Sequence, residues 1–148
     1  TVHLLDVGNN LEPLYALIRR FEGCRLLPYY CPAGVLTCGW GSTGKGIILG
    51  VPWSQEYADA RMQKDAISIF NATKLLCPNL HDGATCALAD FSYNLGLFTL
   101  RHSTLRRKIN AGDTDGAIIE LRKWVHGGGR VLPGLVARRE AEIELLRL

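Results

Sequence analysis

The sequence has no apolar run long enough to cross a membrane. Its apolar stretches are short, as at residues 16–18 and 47–49, whereas a spanning helix needs about 20 such residues. The opening residues TVHLLDVGNN lack both the basic start and the apolar run of a signal peptide. The chain begins at Thr1 and not at Met, which is consistent with a leader, an anchor or a tag preceding it. We therefore expect no membrane span within the chain.

Cysteine pairs with CxxC spacing are also missing. The four histidines, at positions 3, 81, 102 and 126, lie far in sequence from the cysteines at positions 24, 31 and 38. A zinc site is therefore not expected, and no cofactor is implied. The total of five cysteines is odd, so in an oxidising compartment at least one is free or pairs outside the chain.

A strong charge of either sign is absent as well. The 17 basic and 14 acidic residues leave a net charge of +3, and 47% of the residues are hydrophobic, a balance typical of globular proteins. The basic residues concentrate late, in RHSTLRRKIN and GLVARREAE. Such a surface suits a polyanion, including nucleic acid, an anionic cell wall or anionic lipid, but a solvated helix face is the favoured interpretation. No aromatic residues alternate with these arginines, which argues against a nucleic-acid binder.

Helical spacing of apolar residues predicts an amphipathic helix that ends near Glu22. Asn10 can cap it, and Pro13 is tolerated in its first turn. The glycine-rich, β-prone stretch that follows, to about Gly50, predicts a small antiparallel sheet with tight turns. The helical positions are Leu11, Leu14, Tyr15, Ile18 and Phe21.

Beyond Pro52 the pattern is helical. Ser54 can cap a long helix that reaches about Leu76. The segment LHDGAT predicts a turn. The glycines at 127–129 should separate the last two helices. The further helical segments are CALADFSYNLG, STLRRKIN, DGAIIELRKWV and LPGLVARREAEIELL. The prediction is one α+β domain over residues 1–148. A long linking helix joins a β lobe at about 23–52 to a helical lobe. The helical lobe consists of residues at about 77–148 together with the N-terminal helix. The linking helix should leave a cleft beside Glu22.

The segment EGCRLLPYYCPAGVLTCGWGSTG contains Glu22, then Cys31 after eight intervening residues and Thr37 after five more. This pattern resembles the active-site segment of the phage-type lysozymes, the endolysins of glycoside hydrolase family 24. Their segment reads Glu, eight residues, Asp or Cys, five residues, Thr and a Gly-x-Gly turn. ALADFSYNLG, STLRRKINAGD, ELRKWVHGGGRVLPGL and RREAE resemble later parts of the family in the same order. EGC and CPAG look most like phage endolysins that are exported with an N-terminal signal-anchor.

The resemblance implies a lysozyme-like fold and hydrolysis, with inversion, of the β-1,4 bond between N-acetylmuramic acid and N-acetylglucosamine in peptidoglycan. Glu22 matches the acid that protonates the leaving oxygen, and Thr37 matches the residue that positions the attacking water. Cys31 takes the place of the more common aspartate. An unperturbed thiol is mostly uncharged at neutral pH, so Cys31 can replace a carboxylate only if nearby positive charge or amides favour the thiolate, or if it mainly orients other groups.

Other residues match the family's cleft. Tyr93, Asn94 and Thr104 match substrate-binding positions, although ordinary helix packing and a helix cap would also explain them. Arg138 matches the arginine that pairs with the catalytic glutamate. Such an arginine favours the ionised form of Glu22, whereas burial in the cleft favours the protonated form that a general acid needs.

Two cysteine pairs can be considered. If the chain bends back at Pro28, Cys24 and Cys31 could come within disulfide range, and the bond would consume the Cys31 thiol and act as a reversible lock. Cys77 and Cys86 flank the turn PNLHDGAT, where a structural disulfide and two buried free thiols are equally compatible with the sequence.

The resemblance favours an enzyme that binds peptidoglycan, acts as a monomer, and works in the host periplasm after an export signal outside this chain. The main alternative is a catalytically silent wall-binding module of the same fold. Loss of Glu22 would have indicated that alternative, but Glu22 is present.

Overall fold

The computed structural model describes residues 10–148. The helices are α1 (Glu12–Glu22), α2 (Gln55–Leu76), α3 (Asp82–Leu95), α4 (Leu97–Arg101), α5 (Thr104–Asn110), α6 (Thr114–Leu121) and α7 (Pro133–Arg147). The strands are β1 (Arg25–Tyr30), β2 (Leu36–Gly39), β3 (Ser42–Thr43), β4 (His126–Gly127) and β5 (Arg130–Val131). The predicted α+β architecture is confirmed. Within residues 10–148, no helix is both long enough and apolar enough to cross a membrane.

Helix α1 ends at the boundary between the two lobes. Its buried residues are Leu14, Tyr15, Leu17 and Ile18, of which Leu14, Tyr15 and Ile18 share a core cluster with residues of α2 and α3. Gly23 follows with φ of +67°, a value that glycine adopts without the steric penalty of other residues. The chain therefore turns sharply out of the helix, and the last helical residue lies next to the sheet.

The β lobe is a three-stranded antiparallel sheet in the order β1-β2-β3. The register pairs Arg25 with Gly39 and Tyr30 with Leu36, with an irregularity between Arg25 and Tyr29. Its core is small, and consists of Cys38, Trp53 and Ala58. So small a core contributes little stability on its own.

Helix α2 joins the lobes. Ser54 caps it, as predicted: the Ser54 hydroxyl accepts a hydrogen bond from the Tyr57 backbone N–H at 3.1 Å. The buried face, which includes Met62, Ala66 and Phe70, contacts α1 and α3. The 22-residue length of α2 corresponds to about 33 Å at 1.5 Å per residue, so the helix reaches from one lobe to the other.

Helix α3 forms the centre of the helical lobe. A continuous run of it, from Ala84 to Ser92, is buried, and it contacts α1, α2, α4 and α7. The surrounding helices α5, α6 and α7 complete the main core with apolar side chains such as Leu105, Leu121 and Ile143.

Several predicted boundaries were wrong in detail. LHDGAT is not only a turn, because the His81 Nδ1 accepts a hydrogen bond from the Ala84 N–H at 3.1 Å and α3 already begins at Asp82. Helix α4 was not predicted, and α6 stops at Leu121 instead of continuing through the following tryptophan and valine. The break at residues 127–129 is a short hairpin between β4 and β5.

Candidate active site

Glu22 is held by an arginine from the other end of the chain. Arg138 Nη1 in α7 donates a hydrogen bond to Glu22 Oε2 at 2.6 Å. The Arg138 side chain is only 4% exposed and that of Glu22 is 19% exposed. Glu22 is therefore partly open to solvent on one side and fixed to the helical lobe on the other.

Arg138 is itself fixed by a buried carboxylate that sequence reasoning missed. Asp90 in α3 is completely buried and accepts hydrogen bonds from Arg138 Nε and Nη2, both at 2.8 Å. Burial alone would lower the pKa of Arg138, but its hydrogen bonds and ion pairs with Asp90 and Glu22 raise that pKa above its ordinary value. The sequence did contain a signal for Asp90, which is a single acid in the apolar segment CALADF. A buried carboxylate requires a cationic or hydrogen-bonding partner.

A second buried pair lies beside the first. Arg139 and Glu142 are both fully buried, with Arg139 Nε 2.8 Å from Glu142 Oε1, and Arg139 Nη2 also donates to Asn94 Oδ1 at 2.9 Å. Burial and the neighbouring carboxyl of Asp90 raise the pKa of Glu142 well above its ordinary value, while the two arginines oppose this shift. The predicted substrate residue Asn94 thus makes its hydrogen bond with α7.

Gly41 lies directly against the Glu22 carboxylate. A β-carbon at this position would be 2.5 Å from Glu22 Oε1, well inside van der Waals contact. Gly41 also has φ of +81°, in the left-handed region that favours glycine. The Gly-x-Gly turn therefore lets the backbone of the β lobe approach the carboxylate closely.

Cys31 and Thr37 lie on the two sides of the β1–β2 hairpin, near its turn. Cys31 follows β1, and its backbone N–H donates to the carbonyl of Val35 at 3.0 Å. Thr37 is buried at 4% exposure, and its hydroxyl donates to the same carbonyl at 2.9 Å. A hydrogen bond from the backbone of Val35 lowers the pKa of the Cys31 thiol, and those of Ala33 and the Thr37 side chain act in the same direction. This is the stabilisation by amides that a thiolate at this position needs.

Tyr93 joins the two lobes near the carboxylate. Its hydroxyl donates to the carbonyl of Trp40 at 2.6 Å. Burial and the negative charge of Glu22 raise the pKa of Tyr93, so the phenol stays protonated and remains a donor at neutral pH. Thr104, in contrast, starts α5 and accepts a hydrogen bond from Arg107 Nη2 at 2.9 Å within the same helix.

The five cysteines are free in this conformation. Of the two arrangements that the sequence left open for Cys77 and Cys86, the structure has two buried free thiols. Cys77 packs in the main core of the helical lobe, whereas Cys86 packs against α1 and its thiol donates to the carbonyl of Asn10 at 3.4 Å. The two thiols face different clusters and do not pair. Burial raises the pKa of Cys86 to about 12 and also raises the pKa of Cys77, so both thiols stay protonated.

The Cys24–Cys31 bond is also absent from this conformation. The two residues flank the six-residue strand β1, and at ~3.3 Å per residue their α-carbons are roughly 20 Å apart, while a disulfide needs less than about 7 Å. Forming the bond therefore requires β1 to leave its extended conformation.

No group of three or more His, Cys, Asp or Glu side chains within residues 10–148 could hold a metal ion. The arrangement around Glu22 is that of a carboxyl group with one oxygen fixed by a cation and the other beside Gly41, in the turn after the strand that carries Thr37. Such a set suits proton transfer and the positioning of water.

The comparisons with known proteins identify the family. The phage lysozyme family model matches residues 19–142. The chain belongs to the phage lysozyme family. It is 39% identical over 122 residues to the SAR-endolysin of Bacteriophage PS119, a match that covers 82% of this chain and 73% of that protein. The chain is therefore a glycoside hydrolase of the muramidase type that degrades peptidoglycan.

Solved structures agree with this assignment. The muramidase domain of SpmX from Asticaccaulis excentricus superposes with a TM-score of 0.84 at 27% identity, over 95% of this chain and 99% of that domain. The active form of the P1 phage endolysin Lyz superposes with a TM-score of 0.80 at 27% identity, over 96% and 88% of the two chains. The lysozyme-like fold predicted from the sequence is confirmed.

The contact between Gly41 and Glu22 leads to a first prediction. Gly41→Ala should reduce the turnover number at least ~10-fold, because the new methyl group must displace the Glu22 carboxylate from its working position. Gly44→Ala is the matched control: Gly44 also has a positive φ, of +90°, but its β-carbon would meet only Arg61 Nη2 at 3.8 Å. Both variants should lose about 1–2 kcal/mol of unfolding free energy, and only Gly41→Ala should lose turnover. Equal turnover in the two variants would show that the contact is unimportant.

The two partly exposed cysteines provide a second prediction. The amides around Cys31 lower its pKa, whereas burial raises the pKa of Cys24. A lower pKa gives more thiolate at a given pH, so Cys31 should react with iodoacetamide faster than Cys24 at neutral pH, and its rate should reach half of its maximum at a lower pH. Peptide mapping by mass spectrometry after timed alkylation measures both rates. Reversal of this order would contradict the assigned environments.

Proposed function

We propose that the protein hydrolyses the β-1,4 bond between N-acetylmuramic acid and N-acetylglucosamine with Glu22 as the general acid. The observation that carries this proposal is the hydrogen bond from Arg138 to Glu22 Oε2 at 2.6 Å. Because Arg138 occupies Oε2, Oε1 is left to hold the proton that passes to the leaving glycosidic oxygen. Protonation of that oxygen makes the sugar a better leaving group.

Thr37 and Cys31 would serve the attacking water on the opposite face of the sugar. The Thr37 hydroxyl donates its one hydrogen to the Val35 carbonyl, so it would orient the water by accepting a hydrogen bond from it. The Cys31 thiolate, favoured by the surrounding amides, would accept a proton from the water or hold it in line for attack. Attack from the face opposite to the leaving group inverts the configuration at the anomeric carbon.

Tyr93, Asn94 and Thr104 are proposed to line the glycan cleft. Tyr93 has the strongest support, because it lies within electrostatic reach of Glu22. Asn94 would act with its amide nitrogen, since its oxygen accepts from Arg139.

We further propose that the chain works as a monomer and as one domain, in the host periplasm at the cell wall. Support for the monomer is that all the proposed catalytic groups come from a single chain. The periplasm is proposed because the substrate class lies there in Gram-negative hosts.

The test of the catalytic role is Glu22→Gln, which removes the transferable proton with almost no change in shape. Lysis of chloroform-treated Gram-negative cells should fall by about 10²–10⁴-fold, while the circular dichroism spectrum stays unchanged. Glu12→Gln is the control, since Glu12 lies on the same helix but pairs with Arg19 at the surface, and it should lyse cells like the wild type. More than a few per cent residual turnover in folded Glu22→Gln would exclude Glu22 as the acid. A silent wall-binding module would show no lysis in the wild type either.

An oxidised form with a Cys24–Cys31 bond is proposed as a regulatory state. The pairing of β1 with β2 is irregular between Arg25 and Tyr29, and Pro28 has no backbone N–H to donate. This interruption of the strand pairing supports a rearrangement that brings the two thiols together. The bond would remove the Cys31 thiol and distort the segment from Glu22 to Thr37.

The lock predicts an oxidised preparation that is inactive and gains activity on mild reduction. After oxidation by a small-molecule disulfide, wild-type activity should return with dithiothreitol, whereas Cys24→Ser should be active without reductant. Non-reducing peptide mapping identifies the bond. If Cys24 and Cys31 are both alkylated in the inactive preparation, or if reductant leaves the rate unchanged, this bond does not regulate the enzyme.

A further inference from the structure

The turn formed by residues 48–51 presents apolar side chains to solvent. Ile48 is 62% exposed, Leu49 is 58% exposed and Val51 is 50% exposed. The Val51 N–H donates to the Ile48 carbonyl at 3.0 Å, and Gly50 has φ of +85°. The segment is therefore a tight turn whose aliphatic side chains face solvent. Three neighbouring aliphatic side chains at such exposure form a contiguous apolar tip, which points to an interaction.

The base of this turn is firmly held. Arg61 donates to the carbonyls of Lys45 and Thr43, both at 2.6 Å. The Trp53 indole N–H donates to the carbonyl of Gly46 at 3.0 Å, and the indole is 8% exposed in the small core of the β lobe. The tip is therefore kept outside the core by contacts on both sides of it.

A basic groove lies at the base of this turn, where Lys45, Gly46 and Arg61 are part of its lining. It has a volume of about 600 Å³ and is lined by Lys45, Gly46, Tyr57, Ala60, Arg61, Lys64 and Asp65. Arg61 pairs with Asp65 at 3.4 Å, while Lys45 and Lys64 form no ion pair with any residue in the range 10–148. The groove thus has two unpaired positive charges.

Apart from Asp65, which pairs with Arg61, the nearby acids on α2 do not offset this charge within the groove. Asp59 accepts hydrogen bonds from Trp40 and Gln55 at 2.8 and 2.9 Å, on the side of the β lobe. Glu56 is exposed in the first turn of α2 and is not part of the groove lining.

We propose that this surface binds membranes that contain anionic phospholipid. The apolar tip would enter the acyl-chain boundary, and the lipid phosphate would lie in the groove between Lys45 and Lys64. A convex aliphatic tip next to lysines is the arrangement that combines burial of apolar area with attraction to anionic lipid. A second copy of the chain fits less well, because a two-fold axis through the tip would bring the lysines of both copies together.

The experiment measures co-sedimentation of the full chain with vesicles. Wild type should bind vesicles of phosphatidylcholine and phosphatidylglycerol in equal amounts, and should bind phosphatidylcholine alone weakly. Binding should decrease with salt, since exposed charges are screened. The Ile48→Ser/Leu49→Ser variant should bind at least ~10-fold more weakly. At about 1 kcal/mol per lysine, Lys45→Gln/Lys64→Gln should lose about 30-fold in affinity for the anionic vesicles.

Matched controls separate this surface from general hydrophobicity and charge. Ile119→Ser/Val131→Ser removes side chains of similar exposure, 60% and 54%, and Lys108→Gln/Lys123→Gln removes two lysines that pair with acids. Both controls should bind within about threefold of wild type. All the substituted side chains are at the surface, so unchanged thermal unfolding and unchanged hydrolysis of soluble glycan fragments verify the fold.

A spectroscopic readout reports on insertion directly. Leu49→Trp should show a blue shift of its fluorescence with anionic vesicles and none with phosphatidylcholine alone. The proposal is overturned if wild type does not bind anionic vesicles at low salt, or if the controls weaken binding as much as the turn and groove variants do. It is also overturned if light scattering shows a dimer that the turn variant abolishes while vesicle binding is absent, because the tip would then bind a second copy.

Discussion

The guanidinium group of Arg138 joins the parts of the protein that must meet at the cleft. It binds Glu22 at the end of α1 and Asp90 in the middle of α3 while belonging to α7. Residues separated by 116 and 48 positions in the sequence are thereby brought within hydrogen-bond distance. The orientation of Glu22 therefore depends on correct packing of the helical lobe, although its neighbours in sequence form the sheet.

Burial makes this network sensitive to the loss of any member. Charges removed from water are costly unless they are paired and hydrogen-bonded, and loss of one partner of a buried pair costs about 3–5 kcal/mol. Consecutive arginines on α7 bind α3 residues one turn apart: Arg138 binds Asp90, and Arg139 binds Asn94. Because these pairs fit only one alignment, they fix how α7 lies along α3 as well as holding the two helices together.

The sequence allowed a good prediction of what is local. Glu22 at the end of a helix, the hairpin that follows, and the cap at Ser54 depend on residues close to one another in the chain. The start of α3 was missed because histidine is not among the usual capping residues, yet the His81 ring accepts the Ala84 N–H. Asp90, and the contact of Gly41 with Glu22, were missed for another reason. Gly41 contacts Glu22 across the two lobes, and Asp90 contacts Arg138 on another helix of the helical lobe. The residues next to each in sequence do not identify these partners.

The two lobes contribute different kinds of electrostatics to the cleft. The helical lobe supplies full charges, which are buried and paired around Arg138. The β lobe supplies backbone dipoles, because the turn after Cys31 directs amides of residues such as Val35 toward the thiol. A thiolate there needs no buried cation, since the amides stabilise it while Cys31 remains partly open to solvent. This division supports the proposal that Cys31 takes the place of the aspartate that the family resemblance leads one to expect at this position. In the proposed mechanism Cys31 carries negative charge near Thr37, and the hairpin backbone lowers the pKa of the thiol that must carry it.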